Sequence, residues 1–90
     1  MASLRDKFGS RLKAIRLSRQ LSQEQFAELL GISVDFLSLI ERGINAPSFE
    51  NLEIFSTRLA IPVSELFTFE RVPPSPRLAE PPAKSEQYPR

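Results

Sequence analysis

A chain of ninety residues with no cysteine and no histidine excludes a disulfide framework, a zinc finger and any chemistry that turns on a histidine base. The length suits one small domain near the lower limit for a single core, which favours a compact helical bundle. The net charge is only +1, yet it is unevenly spread: residues 1–20 hold six cations against Asp6 alone, whereas residues 21–43 and 44–70 are each net −3.

Met1 to Ser10 carries three charges and no apolar run, unlike a secretory leader. No stretch further on is apolar enough to span a membrane, and a domain this small without disulfide staples fits a cytoplasmic protein. Leu4 to Arg19 reads as the first helix, with Ser3 and Asp6 as its capping pair. Phe8, Leu12 and Ile15 fall on one face. Its cations Arg5, Lys7, Arg11, Lys13, Arg16 and Arg19 form either an electrostatic footprint for a polyanion or an arginine-rich solvated face. Charge alone does not separate the two.

The centre of the chain is Ser22 to Gly43, SQEQFAELLGISVDFLSLIERG. Ser22 with Gln25 makes a capping box, and Phe26, Ala27 and Leu30 repeat at helical spacing. Gly31 is placed to stop that helix in a left-handed conformation. Ile32 fills the corner, and Ser33 caps a second helix whose buried stripe is Leu37 and Ile40, with Phe36 at its edge. Gly43 ends it. Two short helices joined by a tight glycine turn make a helix-turn-helix, the unit that places its second helix in the major groove of DNA.

After the loop INAPS, where Pro47 disfavours helix at Ala46, Ser48 caps a fourth helix over Phe49 to Leu59. Leu52, Phe55 and Leu59 mark its buried side. Ile61-Pro62 breaks it, and Pro62 suits the first turn of a short fifth helix through Val63, Leu66 and Phe67. Ile54 and Phe69 fall off the buried faces. With Leu66 and Phe67 they offer a dimer contact at the C-terminal end, or else are single exposed apolar residues. From Val72 the composition changes: six of the eight prolines lie there with little that is apolar. Residues 71–90 therefore read as a disordered proline-rich tail, either inert or an arm for a protein partner.

The blocks L-S-Q-E at Leu21–Glu24, G-I-S at Gly31–Ser33, S-L-I-E-R-G at Ser38–Gly43 and P-S at Pro47–Ser48 together resemble the lambda-repressor and Cro-like, Xre-type helix-turn-helix regulators of bacteria and phage. The likeness covers Leu4 to Phe67. It implies an all-α, five-helix DNA-binding domain over residues 1–70, acting on double-stranded DNA as a homodimer at a pseudo-palindromic operator. It also implies roles for single residues. Val34, Asp35, Ser38 and Leu39 occupy the positions that read bases. Gln23, Ser33, Arg42 and Asn45 occupy those near the DNA backbone, with Arg11 and Lys13 as weaker candidates. Arg16 and Glu41 match a structural pair tying the first helix to the third.

The likeness has departures. Val34 and Leu39 cannot hydrogen-bond a base edge but can pack on thymine methyl groups. Asp35 can accept from cytosine or simply complement the helix dipole. Gln20 stands where the family commonly has glycine. The leading reading is thus a transcriptional regulator, most simply a repressor. The alternatives are an antitoxin, a controller protein of a two-gene module, or an interaction module that kept the fold without operator binding. An enzyme is not expected: no nucleophile–base cluster, phosphate-cradling glycine loop, cofactor motif or metal-ligand spacing is present.

Overall fold

The computed structural model describes residues 2–69, and the tail expected over residues 71–90 lies outside them. Four α-helices and one 3-10 turn follow in order: α1 Leu4–Ser18, α2 Gln23–Leu30, α3 Val34–Glu41, α4 Phe49–Leu59, and the turn Val63–Phe67. The all-α architecture matches the expectation from sequence, apart from small differences at two ends. Arg19 is the C-cap of α1 rather than its last residue. The fifth element is 3-10, with Pro62 as its N-cap in extended conformation.

Serine starts every α-helix. Ser3, Ser22, Ser33 and Ser48 each accept a hydrogen bond from the backbone amide three residues on. Asp6, Gln25 and Asn51 complete reciprocal capping boxes at α1, α2 and α4. Each cap satisfies amides that a helix start otherwise leaves orphaned and contributes about 1 kcal/mol. Caps are a local device, which is why these starts were legible in the chain.

Helix stops are more varied. Gly31 ends α2 at φ +77°, a left-handed conformation that glycine adopts without steric cost. The same conformation is forced on two residues with side chains, Gln20 (φ +60°) and Ala60 (φ +59°). For Gln20 this fits a position where the family commonly has glycine; nothing in the sequence points to Ala60.

One core unites the elements. Phe8, Leu12 and Ile15 from α1, Phe26, Ala27 and Leu30 from α2, and Leu37 and Ile40 from α3 meet Phe55 and Leu59 from α4 and Leu66 from the 3-10 turn. Leu21, Ile32, Phe36 and Leu52 pack at its margin. Burying about ten large apolar side chains at roughly 1.5–3 kcal/mol each supplies the main favourable term. Leu66 is fully buried, which withdraws it from the dimer contact considered for the C-terminal end: its side chain is core. Phe67 instead packs on Phe8 in a tilted arrangement at 5.2 Å between ring centroids, and Phe69 meets Phe67 edge to face at 6.1 Å.

Candidate nucleic-acid interface

The two helices of the central motif are joined by Gly31, Ile32 and Ser33. The amide of Ile32 donates to the carbonyl of Ala27 at 3.0 Å, closing α2, and the amide of Phe36 donates to Ser33 Oγ at 3.0 Å, opening α3. Both ends of the turn are therefore hydrogen-bonded, and the crossing of α2 with α3 is held. Ile32, partly buried against the core, anchors the corner.

On α3 the residues divide by helical geometry. Leu37, Ile40 and Glu41 are buried and define the inner face. Asp35, Ser38, Leu39 and Arg42 recur at i, i+3, i+4 and i+7 and span about 100° of arc on the opposite side. Asp35 and Arg42 are exposed; Ser38 and Leu39 are half-buried. Val34, grouped with the base-reading positions from sequence, lies between the two faces and packs its side chain against the core. The outward stripe ends at Arg42, and the next turn is locked when the amides of Ile44 and Asn45 both donate to the carbonyl of Leu39, at 2.9 and 3.3 Å. That bond places Asn45, which is exposed, just past the helix end.

Behind the stripe sits a buried ionic network. Arg16 Nε donates to Glu41 Oε2 at 2.8 Å and Arg16 Nη2 to Glu41 Oε1 at 3.1 Å, a two-pronged pair between α1 and α3. The third arm of the guanidinium, Nη1, donates to the carbonyl of Leu21 at 3.0 Å. Gln23 Nε2 donates to Glu41 Oε1 at 3.0 Å. Gln23, placed near the DNA backbone from sequence, is thus also the link that holds the start of α2 to the end of α3. Its half-buried side chain keeps a second amide hydrogen beyond that bond. Next to it the amides of Gln23 and Glu24, at the first turn of α2, have no intrahelical acceptor.

Of the six cations in residues 1–20, Arg11 and Arg16 are buried, whereas Arg5, Lys7, Lys13 and Arg19 are exposed; the flank is thus partly structural and partly a solvated basic face. Arg11 is buried; its Nε donates to the carbonyl of Glu65 at 2.8 Å and its Nη2 to Glu65 Oε1 at 3.0 Å. It is therefore withdrawn as a DNA-backbone candidate, because its side chain is committed to the 3-10 turn. Arg5 donates to the carbonyl of Ile44 at 3.1 Å, and Arg19 to that of Leu59 at 2.7 Å. Arg58, from α4, donates to the carbonyl of Leu29 at 2.9 Å. Arg19 and Arg58 both sit on carbonyls at helix C-termini, where a cation complements the dipole. Sequence reasoning missed these roles because each bridges 29 or more residues. Lys7, Lys13 and Arg42 form no ion pair among the described residues.

Residues 12–66 match the helix-turn-helix family HTH_3. The control protein C.MunI from a Mycoplasma species is 39% identical over 69 residues, covering 76% of this chain and 93% of that protein. The immunity repressor protein of Bacillus phage phi105 is 43% identical over 58 residues, but they make up only 40% of that longer protein. Among solved structures, the restriction-modification controller protein C.AhdI from Aeromonas hydrophila superposes with a TM-score of 0.66 at 38% identity, covering 70% of this chain and 96% of that one. A fold of capped helices around one core, the two-helix motif at its centre and these matches lead to one conclusion: the chain belongs to the HTH_3 helix-turn-helix family, of the lambda-repressor-like, Xre type.

Proposed function

We propose that the protein is a sequence-specific transcriptional regulator that binds a pseudo-palindromic DNA operator as a homodimer, with α3 in the major groove. The observation that carries this reading is the outward stripe Asp35, Ser38, Leu39 and Arg42, held rigidly on a helix whose other face is core. A helix of eight residues is about 12 Å long, enough to span the accessible part of a major groove. Asp35, Ser38 and Leu39 then face base edges, with Val34 at the margin. Arg42, Asn45, Ser33 and the unpaired amides at Gln23 face phosphates, which fix register without reading sequence. Such a regulator works in the cytoplasm, on the nucleoid.

The homodimer would be closed by an apolar groove between the start of α1 and the start of α4. Leu4, Phe8, Pro47, Phe49, Leu52 and Phe67 line it, and Phe49 is 86% exposed. A contiguous apolar surface of this kind is a common mark of a protein contact. The similarity to C.MunI and C.AhdI over nearly their whole length supports a controller protein as the kind of regulator.

Selection from a random duplex pool at moderate salt, with the enriched sites titrated against salt, tests the reading. A two-fold symmetric site with half-sites about one helical turn apart supports it. Failure to enrich any duplex, with residual binding that vanishes with salt, overturns it.

A further inference from the structure

The outward face of α3 lacks the side chains that usually read purines. Guanine is most often recognised by arginine or lysine donating to O6 and N7, and adenine by asparagine or glutamine at N6 and N7. Among Asp35, Ser38 and Leu39 none can do either. Arg42, the one cation on the stripe, is the C-cap residue and lies at the far end of the helix. What the stripe does offer is a carboxylate, a hydroxyl and a branched apolar group. Asp35 accepts no hydrogen bond from any side chain and forms no ion pair among the described residues. Leu39 is half-buried, yet is not among the side chains packed on the core.

These three groups match the major-groove edges of pyrimidines. The exocyclic amine of cytosine is a donor that a carboxylate accepts, and the 5-methyl of thymine is an apolar contact for leucine. A carboxylate facing the groove also repels the phosphates on either side, so it is placed at the base edge only where a donor meets it. Ser38, between the two, can donate or accept and fits either base.

We propose that α3 reads its half-site through pyrimidine edges, with Leu39 on a thymine methyl group and Asp35 on a cytosine amine. The inference rests on the regulator reading above and adds the chemistry of what is read.

The test uses the full chain and the duplex enriched by selection, with each thymine of a half-site replaced in turn by deoxyuridine. Only the methyl group changes, and the protein is untouched. Affinity is expected to fall about fourfold at one or two positions, the effect of losing one buried methyl. Leu39→Ala should bind the thymine and uracil duplexes alike, and Asp35→Ala, which removes the acceptor, should lose its preference at one cytosine while retaining the thymine effect. Equal affinity for thymine and uracil duplexes at every position overturns the inference and leaves the regulator reading intact. A half-site whose best-discriminated positions are guanines read by Arg42 also overturns it. Should no duplex be enriched at all, the regulator reading fails and this inference with it.

Discussion

Gly9 of α1 lies directly against the carbonyl oxygen of Ile40 in α3, and a Cβ at position 9 would also stand 2.9 Å from the carbonyl oxygen of Glu41. The obstacle is backbone, so no side chain can swing aside. Gly9→Ala therefore sets two effects against each other. Alanine improves helix propensity by about 0.8–1 kcal/mol, while the overpacking of a closely apposed helix pair costs typically 1–3 kcal/mol. The contact should win. A lower melting temperature by thermal denaturation is expected, and an unchanged or raised one would show that α1 can lift off α3 freely.

The Arg16–Glu41 pair lies a few residues from the same crossing. Removing one partner leaves a buried charge uncompensated, at about 3–5 kcal/mol. Glu41→Ala should fall in that range by chemical denaturation, and it frees both Arg16 and Gln23. The double replacement Arg16→Met with Glu41→Leu should recover most of the loss. A double variant no more stable than Glu41→Ala would mean that packing around the pair, rather than its charge, sets the cost.

Left-handed conformations at Gln20 and Ala60 carry a steric cost of about 1–2 kcal/mol each for residues with a Cβ. Gln20→Gly relieves it but raises the entropy of the unfolded chain, by about 0.4–1 kcal/mol. A net stabilisation of up to about 1 kcal/mol is expected, near 4–8 °C in melting temperature for a domain of this size. Gln20→Ala serves as the control and should show no such gain. If both variants melt alike, the turn before Leu21 is not strained.

Arg42 and Ser38 should separate by the kind of binding they lose. Arg42→Ala is expected to weaken every duplex and reduce the slope of log affinity against log salt by about one unit. Ser38→Ala should change which sequences bind, with about 1–3 kcal/mol at stake per base pair, and leave the slope as it was. Equal loss on all duplexes from both variants would remove the division of labour along the stripe.

Phe49 gives the proposed dimer its own test. With 86% of its surface exposed, Phe49→Asp should leave the melting curve of the monomer nearly unchanged and shift sedimentation from dimer to monomer. Operator affinity should fall with it. A variant that sediments as the parent does would place the contact between copies elsewhere on the molecule.

What the sequence determined by itself is what neighbouring residues decide between them. Four serine caps, the glycine at the turn between α2 and α3, and apolar residues at helical spacing are readable because each acts within one or two turns of chain. The helix-turn-helix follows from those alone, whereas the base-facing positions of α3 come from the family resemblance, and the structure moves Val34 off that face. Tertiary structure decided which charges are available and which apolar groups are covered. Arg11 and Lys13 look alike in the chain, yet one is buried on Glu65 and the other is exposed. Leu66 and Phe67 are adjacent, yet one is core and the other lines an open groove. Gly9 looks like a weak point in a helix until α3 is laid against it. In each case the deciding partner is a segment far along the chain, and a side chain's cost or use depends on the solvent that partner removes.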